Sequence, residues 1–259
     1  MILVKDFIKF KKGIKYMKIV KYKKLNGNKY QVILEDNSKV NLYEDVILEK
    51  ELLLKKEVDD LESILNANLK YGIYEETLHY ISIKLRSKKE IYNYLIKKGY
   101  QEEDINKTID KLIKNGYIND EYYSKCYIND RINLSLDGPV KIKKYLDSLD
   151  ISNLVYDKYL DEFNKELVYS RINKYLEKQL KVNKKSMYIF KNKMLLNLIN
   201  LGYETSDINY CLMNINVSNQ DELKEKEKEK LYKKLSRKYT GIELERKVKE
   251  KLYQKGFFE

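Results

Sequence analysis

The feature that most constrains this chain is a helix stop that recurs about every fifty residues. Gly99, Gly202 and Gly256 each follow an apolar run and precede an aromatic residue. Asp150 occupies the corresponding place in the turn SLDIS, and the four positions are 51, 52 and 54 residues apart. A left-handed glycine followed by a hydrophobic residue is a common end of an α-helix. The period therefore predicts tandem helical units.

Signals for helix starts and for buried helix faces agree with this prediction. Ser87 and Glu90, in SKKE, predict a capping box, in which each side chain satisfies a free amide of the first turn. Thr240 and Glu243 repeat the pattern. Apolar stripes of helical period accompany these caps: Ile91 and Leu95; Ile105, Ile109, Leu112 and Ile113; Leu195, Leu196 and Ile199; Leu244, Val248 and Leu252.

The first part of the chain has a different pattern. Segments 17–25, 28–35 and 38–43 are rich in Val, Ile, Leu and Tyr and are separated by hairpin signals, which predicts three short strands. Three such strands have too little core to be stable alone. We expect them to pack on helices near 44–53 and 57–69.

These patterns predict a mainly α fold, with tandem three-helix repeats in an elongated array behind a small N-terminal three-stranded β-unit. Met17 offers an alternative start, which makes 1–16 a candidate non-native extension that we expect to be poorly ordered or dispensable. The predicted helices lie near 74–86, 88–98 and 102–115; 120–134, 139–149 and 153–162; 164–182, 186–201 and 205–214; 219–239 and 241–255. The predicted domains are 1–16 as an extension, 17–72 as the β-unit with its helices, 73–116, 117–162 and 163–217 as repeats, and 218–259 as a truncated repeat.

Composition narrows the class of protein. No apolar run approaches the 18 residues of a membrane span, and the opening segment interrupts its apolar run with Asp6, so it is a poor signal peptide. Cys126 and Cys211 lack metal-ligand spacing and are typical of a reducing compartment. The only histidine, His79, has no nucleophile or paired carboxylate at a spacing that would indicate a catalytic site. We therefore expect a soluble, cytoplasmic protein that is not an enzyme and needs no cofactor or metal.

The net charge of +12 suits a nucleic-acid partner, although abundant Lys, Asn, Ile and Tyr with little Arg also follow from AT-rich coding. One segment has a clear local excess of positive charge: residues 171–193 hold eight basic residues and a single acidic one, Glu177. This segment is either an ordinary solvated helix pair or a contact for DNA phosphates or an acidic groove. Tyr175, Tyr188 and Phe190 lie among its lysines and could stack on bases, although we expect two of them to face the core.

Residues 85–151 carry a more specific pattern, which resembles the RecX family of RecA-recombinase regulators. The family usually has Phe-Ala at Tyr123-Ser124 and Lys-Gly-Ile at residues 149–151, and it is richer in arginine. The matching elements are Leu85-Arg86-Ser87, Glu90, Leu95, Lys98-Gly99-Tyr100, Ile105, Leu112, Gly116-Tyr117-Ile118-Asn119-Asp120, Tyr122-Tyr123-Ser124, Arg131, Gly138-Pro139, Ile142 and Leu146.

The resemblance implies a curved array that lies in the groove of the RecA–DNA filament and inhibits filament growth, strand exchange and coprotease activity. The expected partners are RecA and the RecA–single-stranded DNA filament, bound by a monomer in recombination, DNA repair and the SOS response. The alternative is a general nucleic-acid-binding helical protein, which contacts single- or double-stranded DNA without RecA. The candidate contact residues are Arg171, Lys174, Lys178, Lys181, Lys184, Lys185, Lys191, Lys193, Arg86, Lys88, Lys89, Arg131, Lys141, Lys143 and Lys144.

Overall fold

The computed structural model describes residues 16–215 and 220–258. It divides into two compact units between Tyr123 and Ser124. The described chain is mainly helical with a small N-terminal sheet, which confirms the predicted fold class. The predicted extension 1–16 lies outside the described residues except for Tyr16, whose hydroxyl donates to the Glu57 carboxylate.

Four antiparallel strands form the sheet at the start of the first unit. Strands β1 (Met17–Lys24), β2 (Lys29–Leu34) and β3 (Lys39–Tyr43) match the prediction, and β4 (Glu57–Val58) adds to the free edge of β1 in the order β3-β2-β1-β4. We did not predict β4, because two residues are too short to show an alternating pattern. One face of the sheet contributes to the core through Val32, Leu34, Val40 and Leu42.

Three helices follow the strands: α1 (Glu44–Glu49), α2 (Leu52–Lys55) and α3 (Leu61–Ile83). The predicted break between helices near 57–69 and 74–86 is wrong, because α3 continues through it. Gly72 lies within α3 and makes room for a neighbour, since a Cβ there would lie 3.2 Å from the Tyr43 ring. The buried Asn68 side chain also fixes α3 to β3. Its amide oxygen accepts from the Tyr43 amide at 2.8 Å, and its amide nitrogen donates to the Asn41 carbonyl at 3.2 Å.

The last half of α3 packs with α4 (Lys88–Lys98) and α5 (Glu102–Lys114), and these form the first three-helix module. Ile105, Ile109 and Leu112 of the predicted stripe on α5 are buried, as are Ile91 and Leu95 of α4. The fourth member of the α5 stripe, Ile113, is 41% exposed, so that part of the prediction is wrong.

Eight further helices follow in the described residues, and each is shorter than α3. Their bounds are α6 (Asp120–Leu134), α7 (Pro139–Ser148), α8 (Asn153–Leu160), α9 (Lys165–Leu180), α10 (Met187–Leu201), α11 (Thr205–Met213), α12 (Gln220–Leu235) and α13 (Gly241–Gln254). The stripe predicted on α10 is wrong, because Phe190, Met194 and Leu198 are buried while Leu196 and Ile199 are exposed. Apolar residues occur on several sides of α10, so periodicity alone did not identify its buried face. Val248 and Leu252 of α13 are buried, as predicted, and Leu244 packs against them.

The recurring helix stops have the predicted backbone conformation. Gly99 and Gly202 both have φ of 89°, and each donates its amide to a carbonyl in the last turn of its helix. Asp150 adopts the left-handed conformation with φ of 58°, which aspartate tolerates better than most residues. The Ser87 capping box is confirmed by its two reciprocal bonds, at 3.0 and 3.2 Å. The box predicted at Thr240 is wrong, since this hydroxyl makes no capping bond.

Candidate partner-binding surface

Three lysines of the basic segment form one stripe on α9. Val168, Ile172 and Leu176 are the buried side of this helix. Lys174, Lys178 and Lys181 are exposed and follow one another at spacings of four and three residues, which places them side by side on the opposite face. We call these three residues the α9 stripe.

Four more lysines of the segment lie beyond α9. Lys184 and Lys185 are exposed in the turn before α10, Lys193 is exposed on α10, and Lys191 is half-buried. Within residues 16–215 and 220–258, none of these four lysines or of the α9 stripe lies within ion-pair distance of a carboxylate. An unpaired exposed ammonium keeps its full charge available to an anionic partner.

Arg171 begins the same basic segment but lies in a different environment. Its half-buried guanidinium donates to the carbonyl oxygens of Ile132, at 2.5 Å, and Ser135, at 2.6 Å, and its Nε donates to the Tyr203 hydroxyl at 3.1 Å. Carbonyl groups at the end of a helix have no partner within the helix, and Arg171 supplies one for the end of α6. No local pattern in the sequence predicts this difference between the surroundings of Arg171 and those of the lysines.

Two glycines bring α7 and α10 into close contact near Arg171. The Gly138 amide donates to the Leu201 carbonyl at 2.7 Å, and the Val140 amide donates to the Gly202 carbonyl at 3.0 Å. A Cβ on Gly202 would overlap the Cβ and backbone of Lys141, and one on Gly138 would overlap the Gly202 carbonyl. We call this contact the Gly138–Gly202 junction. Sequence analysis identified both glycines as turn residues but did not pair them, because 64 positions separate them.

Of the other candidate residues in α6 and α7, Arg131, Lys141 and Lys143 are already paired. Asp137 accepts from Lys141 at 2.6 Å and faces Arg131 at 3.7 Å. Lys143 lies 3.7 Å from Asp157, and Lys144 is exposed. The structure thus brings Arg131, Lys141 and Arg171 together around the turn at residues 135–138.

The candidate residues of the first unit lie at the start of α4. Arg86 lies over the Tyr80 ring, 4.4 Å from its centroid, and 3.5 Å from the Glu90 carboxylate. Lys88 is exposed, and its backbone amide donates to Asp120 at 2.8 Å, while Lys89 is half-buried.

A partly buried polar cluster stabilises the module on which Arg86 lies. The Glu76 carboxylate accepts from Tyr94 at 2.9 Å, Tyr100 at 2.5 Å and Lys98 at 2.7 Å. Burial alone would raise the pKa of Glu76, but the bonds from Lys98 and the two tyrosines outweigh it and lower that pKa. Burial, together with the bond to Glu76, raises the pKa of Tyr100. Glu76 is therefore ionised and holds α3 against α4.

The side chains that could bind a metal ion are dispersed over the part of the chain that the structure describes. In residues 16–215 and 220–258 no three histidine, cysteine or carboxylate side chains are placed to hold a metal ion. His79 is exposed on α3. Among the helices described, none is both long and apolar enough to cross a bilayer.

Comparisons with known proteins identify the family. A family model for the first three-helix domain of RecX matches residues 74–112, which cover the Glu76 cluster and most of α4 and α5. The regulatory protein RecX of Streptococcus gordonii is 31% identical over 253 residues, covering 94% of this chain and 95% of the relative. RecX of Streptococcus sanguinis is 30% identical, with the same coverage of both chains.

Solved structures show the same fold. A crystal structure of a regulatory protein RecX matches with a TM-score of 0.61 and 22% identity, over 74% of this chain and 97% of that one. RecX from Lactobacillus salivarius matches with a TM-score of 0.52 and 26% identity, over 57% of this chain and 96% of that one. The chain is about 30% identical to two RecX proteins over nearly its full length and shares the fold of solved RecX structures. It therefore belongs to the RecX family of regulatory proteins.

Proposed function

We propose that this protein regulates the RecA recombinase by binding the RecA–DNA filament. The observation that carries the proposal is the 31% identity to a regulatory protein RecX over 94% of the chain. In this proposal the protein is a cytoplasmic monomer without catalytic activity. It inhibits filament growth, strand exchange and coprotease activity, and so limits recombination, DNA repair and the SOS response.

The α9 stripe and Lys184, Lys185 and Lys193 are the groups best suited to the DNA of the filament. They are exposed and unpaired in the described chain, so binding a phosphate would not require breaking an internal ion pair. Each released counterion contributes to affinity independently of sequence. Binding energy would be spread over many lysines, and single substitutions would have small effects.

Arg131, Lys141 and Arg171 have a different role in this proposal. Their hydrogen bonds and ion pairs are made within the junction, so they support the surface and do not supply its free charge. A firmly held surface can contact neighbouring RecA protomers in one arrangement and disfavour the addition of the next protomer. Rigid presentation also lowers the entropy cost of binding.

The test adds the purified protein, below the RecA concentration, to RecA on single-stranded DNA. ATP hydrolysis and LexA cleavage are followed together. We expect both rates to fall, and more steeply when the protein is present before filaments grow. Unchanged rates at an equimolar ratio would contradict the proposal.

A second candidate function is general nucleic-acid binding without RecA, which the seven unpaired lysines favour. A salt titration on bare and RecA-coated DNA separates the two functions. Binding driven by phosphates alone loses affinity steeply with salt, with a slope of about 0.7 per phosphate on single strands. The RecA proposal predicts tighter binding to the coated strand at every salt concentration, and equal binding would favour the second function.

A further inference from the structure

We propose that Tyr188, Tyr253 and Phe258 form a platform on which the bases of single-stranded nucleic acid stack. Lys184, Lys185 and Lys191 would bind the phosphates of the same strand. This site does not depend on RecA, and its test uses the isolated protein.

The three aromatic side chains are exposed, and the Phe258 ring contacts the rings of both Tyr188 and Tyr253. Tyr188 is 54% exposed, Tyr253 65% and Phe258 44%. The Phe258 ring lies 5.0 Å from that of Tyr188 and 4.9 Å from that of Tyr253, with interplanar angles of 76° and 70°. This edge-to-face geometry keeps the rings from covering one another, so aromatic surface remains open to solvent. Aromatic surface of this kind is where unpaired bases stack.

The backbone beneath the rings is held firmly. The Ser186 hydroxyl donates to the Lys255 carbonyl at 2.6 Å, which joins the start of α10 to the turn after α13. Gly256, with φ of 76°, allows this approach, since a Cβ there would lie 2.7 Å from the Ser186 Oγ and 3.0 Å from the Tyr188 Cδ1. Phe257, the residue before Phe258, is buried in the α12–α13 core. A platform fixed in this way loses little entropy on binding.

Unpaired lysines flank the platform. Lys184 and Lys185 precede Ser186 in a turn that the Asn183 side chain closes, with bonds of 2.8 and 3.1 Å to the Lys185 backbone. Lys191 follows Tyr188 by three residues, so it is a neighbour on the surface of α10. An apolar partner would leave these cations without counter-charge. Single-stranded nucleic acid supplies bases and phosphates together, which is why we favour it over a protein segment.

Tyr210 provides a matched control elsewhere in the same unit. It is also 54% exposed, and it stacks on Tyr169 at 4.7 Å. The lysine beside that pair, Lys165, is bound to Asp207 at 2.5 Å. The two sites therefore differ in ring geometry, since the Tyr169 and Tyr210 rings are stacked, and in whether the neighbouring lysine is paired.

The first measurement compares fluorescent oligothymidylate with an abasic strand that has the same number of phosphates. Stacking contributes about 1–3 kcal/mol per base. At 1.4 kcal/mol per tenfold change, we expect the full-length protein to bind the thymidylate about tenfold or more tightly in fluorescence anisotropy. Equal affinity would overturn the proposal with no variant needed. If RecA were still inhibited in that case, the proposed function would stand and only the platform would fall.

The second measurement locates the site. Tyr188→Ala and Phe258→Ala should each weaken thymidylate binding about tenfold, whereas Tyr188→Phe and Tyr210→Ala should leave it unchanged. Strands carrying 5-iododeoxyuridine should crosslink under light to Tyr188, Tyr253 or Phe258. Crosslinks found only outside these residues, or a folded Tyr188→Ala protein with full affinity, would overturn the proposal. So would a Tyr188→Ala protein that loses RecA inhibition but keeps thymidylate binding, because the platform would then be a protein contact.

Discussion

Two helical pairs of the second unit, α9–α10 and α12–α13, are both rich in lysine, but their lysines have different surroundings. In α12–α13, Lys226 lies 2.5 Å from Glu222, Lys228 lies 3.4 Å from Glu225, and Lys247 lies 2.9 Å from Glu250. In α9–α10 the described lysines face no carboxylate except for Lys165. Ion pairs therefore neutralise part of the lysine charge of α12–α13, whereas in the described residues of α9–α10 they involve only Lys165.

The two pairs also differ in how they are fixed. Helices α9 and α10 belong to a region held by Arg171 and the Gly138–Gly202 junction. Helices α12 and α13 share a small core whose fully buried members are Leu231, Val248, Leu252 and Phe257. The two pairs therefore differ in their ion pairs and in the contacts that hold them, and the following experiments test this contrast.

The largest expected effect is a loss of stability from a substitution at the Gly138–Gly202 junction. Gly202→Ala places a methyl group against Lys141 and strains a backbone with φ of 89°. We expect it to lower the free energy of unfolding by about 2–5 kcal/mol, from overpacking and strain together. Gly99→Ala is the control, because Gly99 has the same φ and an open surrounding. It should cost only about 1–2 kcal/mol of strain. Equal losses in urea denaturation would mean that the junction is not tightly packed.

The next effect separates Arg171 from the α9 stripe. Arg171→Met removes partly buried hydrogen bonds to the Ile132 and Ser135 carbonyls and the Tyr203 hydroxyl, and we expect a loss of about 2–3 kcal/mol in the free energy of unfolding. Lys174→Met, one turn further along α9, should change stability by less than about 0.5 kcal/mol. A thermal or urea unfolding series measures both. A stable Arg171→Met protein would show that its bonds are not needed to hold α6.

The third effect concerns binding and compares the two helical pairs directly. Replacing Lys174, Lys178 and Lys181 together with Gln should reduce the salt slope of filament or DNA binding by about 2, and affinity about tenfold. The same replacement at Lys226, Lys228 and Lys230 should leave both unchanged, because those lysines are already paired. Equal losses in the two triple variants would remove the distinction between the pairs.

The smallest effect is the pH dependence of α12–α13. The hydrogen bond from Lys255 lowers the pKa of Glu227 below its usual 4.5. A lowered pKa in the folded state stabilises the protein above pH 4.5, and this stabilisation is lost as pH falls through the lowered value. We expect Glu227→Gln to cost less than about 1 kcal/mol at pH 7. The difference from the unsubstituted protein should vanish in acid, as measured by urea denaturation at both pH values. A difference that persisted in acid would point to packing, not charge.

Local signals in the sequence predicted much of the fold. Glycine at 99, 202 and 256 and the Ser87 capping box act over a few residues, and so they could be read without the structure. The continuity of α3 through Gly72 depends on the Tyr43 ring, which is distant in sequence. The buried face of α10 was also missed because it depends on distant residues. Packing by neighbouring helices determines that Leu198 is buried and Leu196 is exposed.

The candidate surface was less predictable than the fold. Composition identified 171–193 as a basic segment, and the exposure of Lys174, Lys178 and Lys181 agrees with a surface role. The bonds of Arg171 reach residues 36 and 39 positions away, which no local pattern reveals. Two of Tyr175, Tyr188 and Phe190 were expected to face the core; Phe190 is buried, Tyr175 is half-buried and Tyr188 is exposed. The contact of Tyr188 with Phe258 spans 70 positions and was not anticipated.

Helix α3 has a consequence for how the N-terminal sheet can be separated from the rest. Its 23 residues span roughly 34 Å at the usual rise per residue, and one end packs under the sheet while the other completes the first three-helix module. Cleavage at residue 72, where a domain boundary was predicted, would divide this shared helix. It would expose Ile64 on one fragment and Ile73 on the other. Because α3 is continuous, a displacement of the sheet would also displace Glu76 and the two tyrosines that donate hydrogen bonds to it.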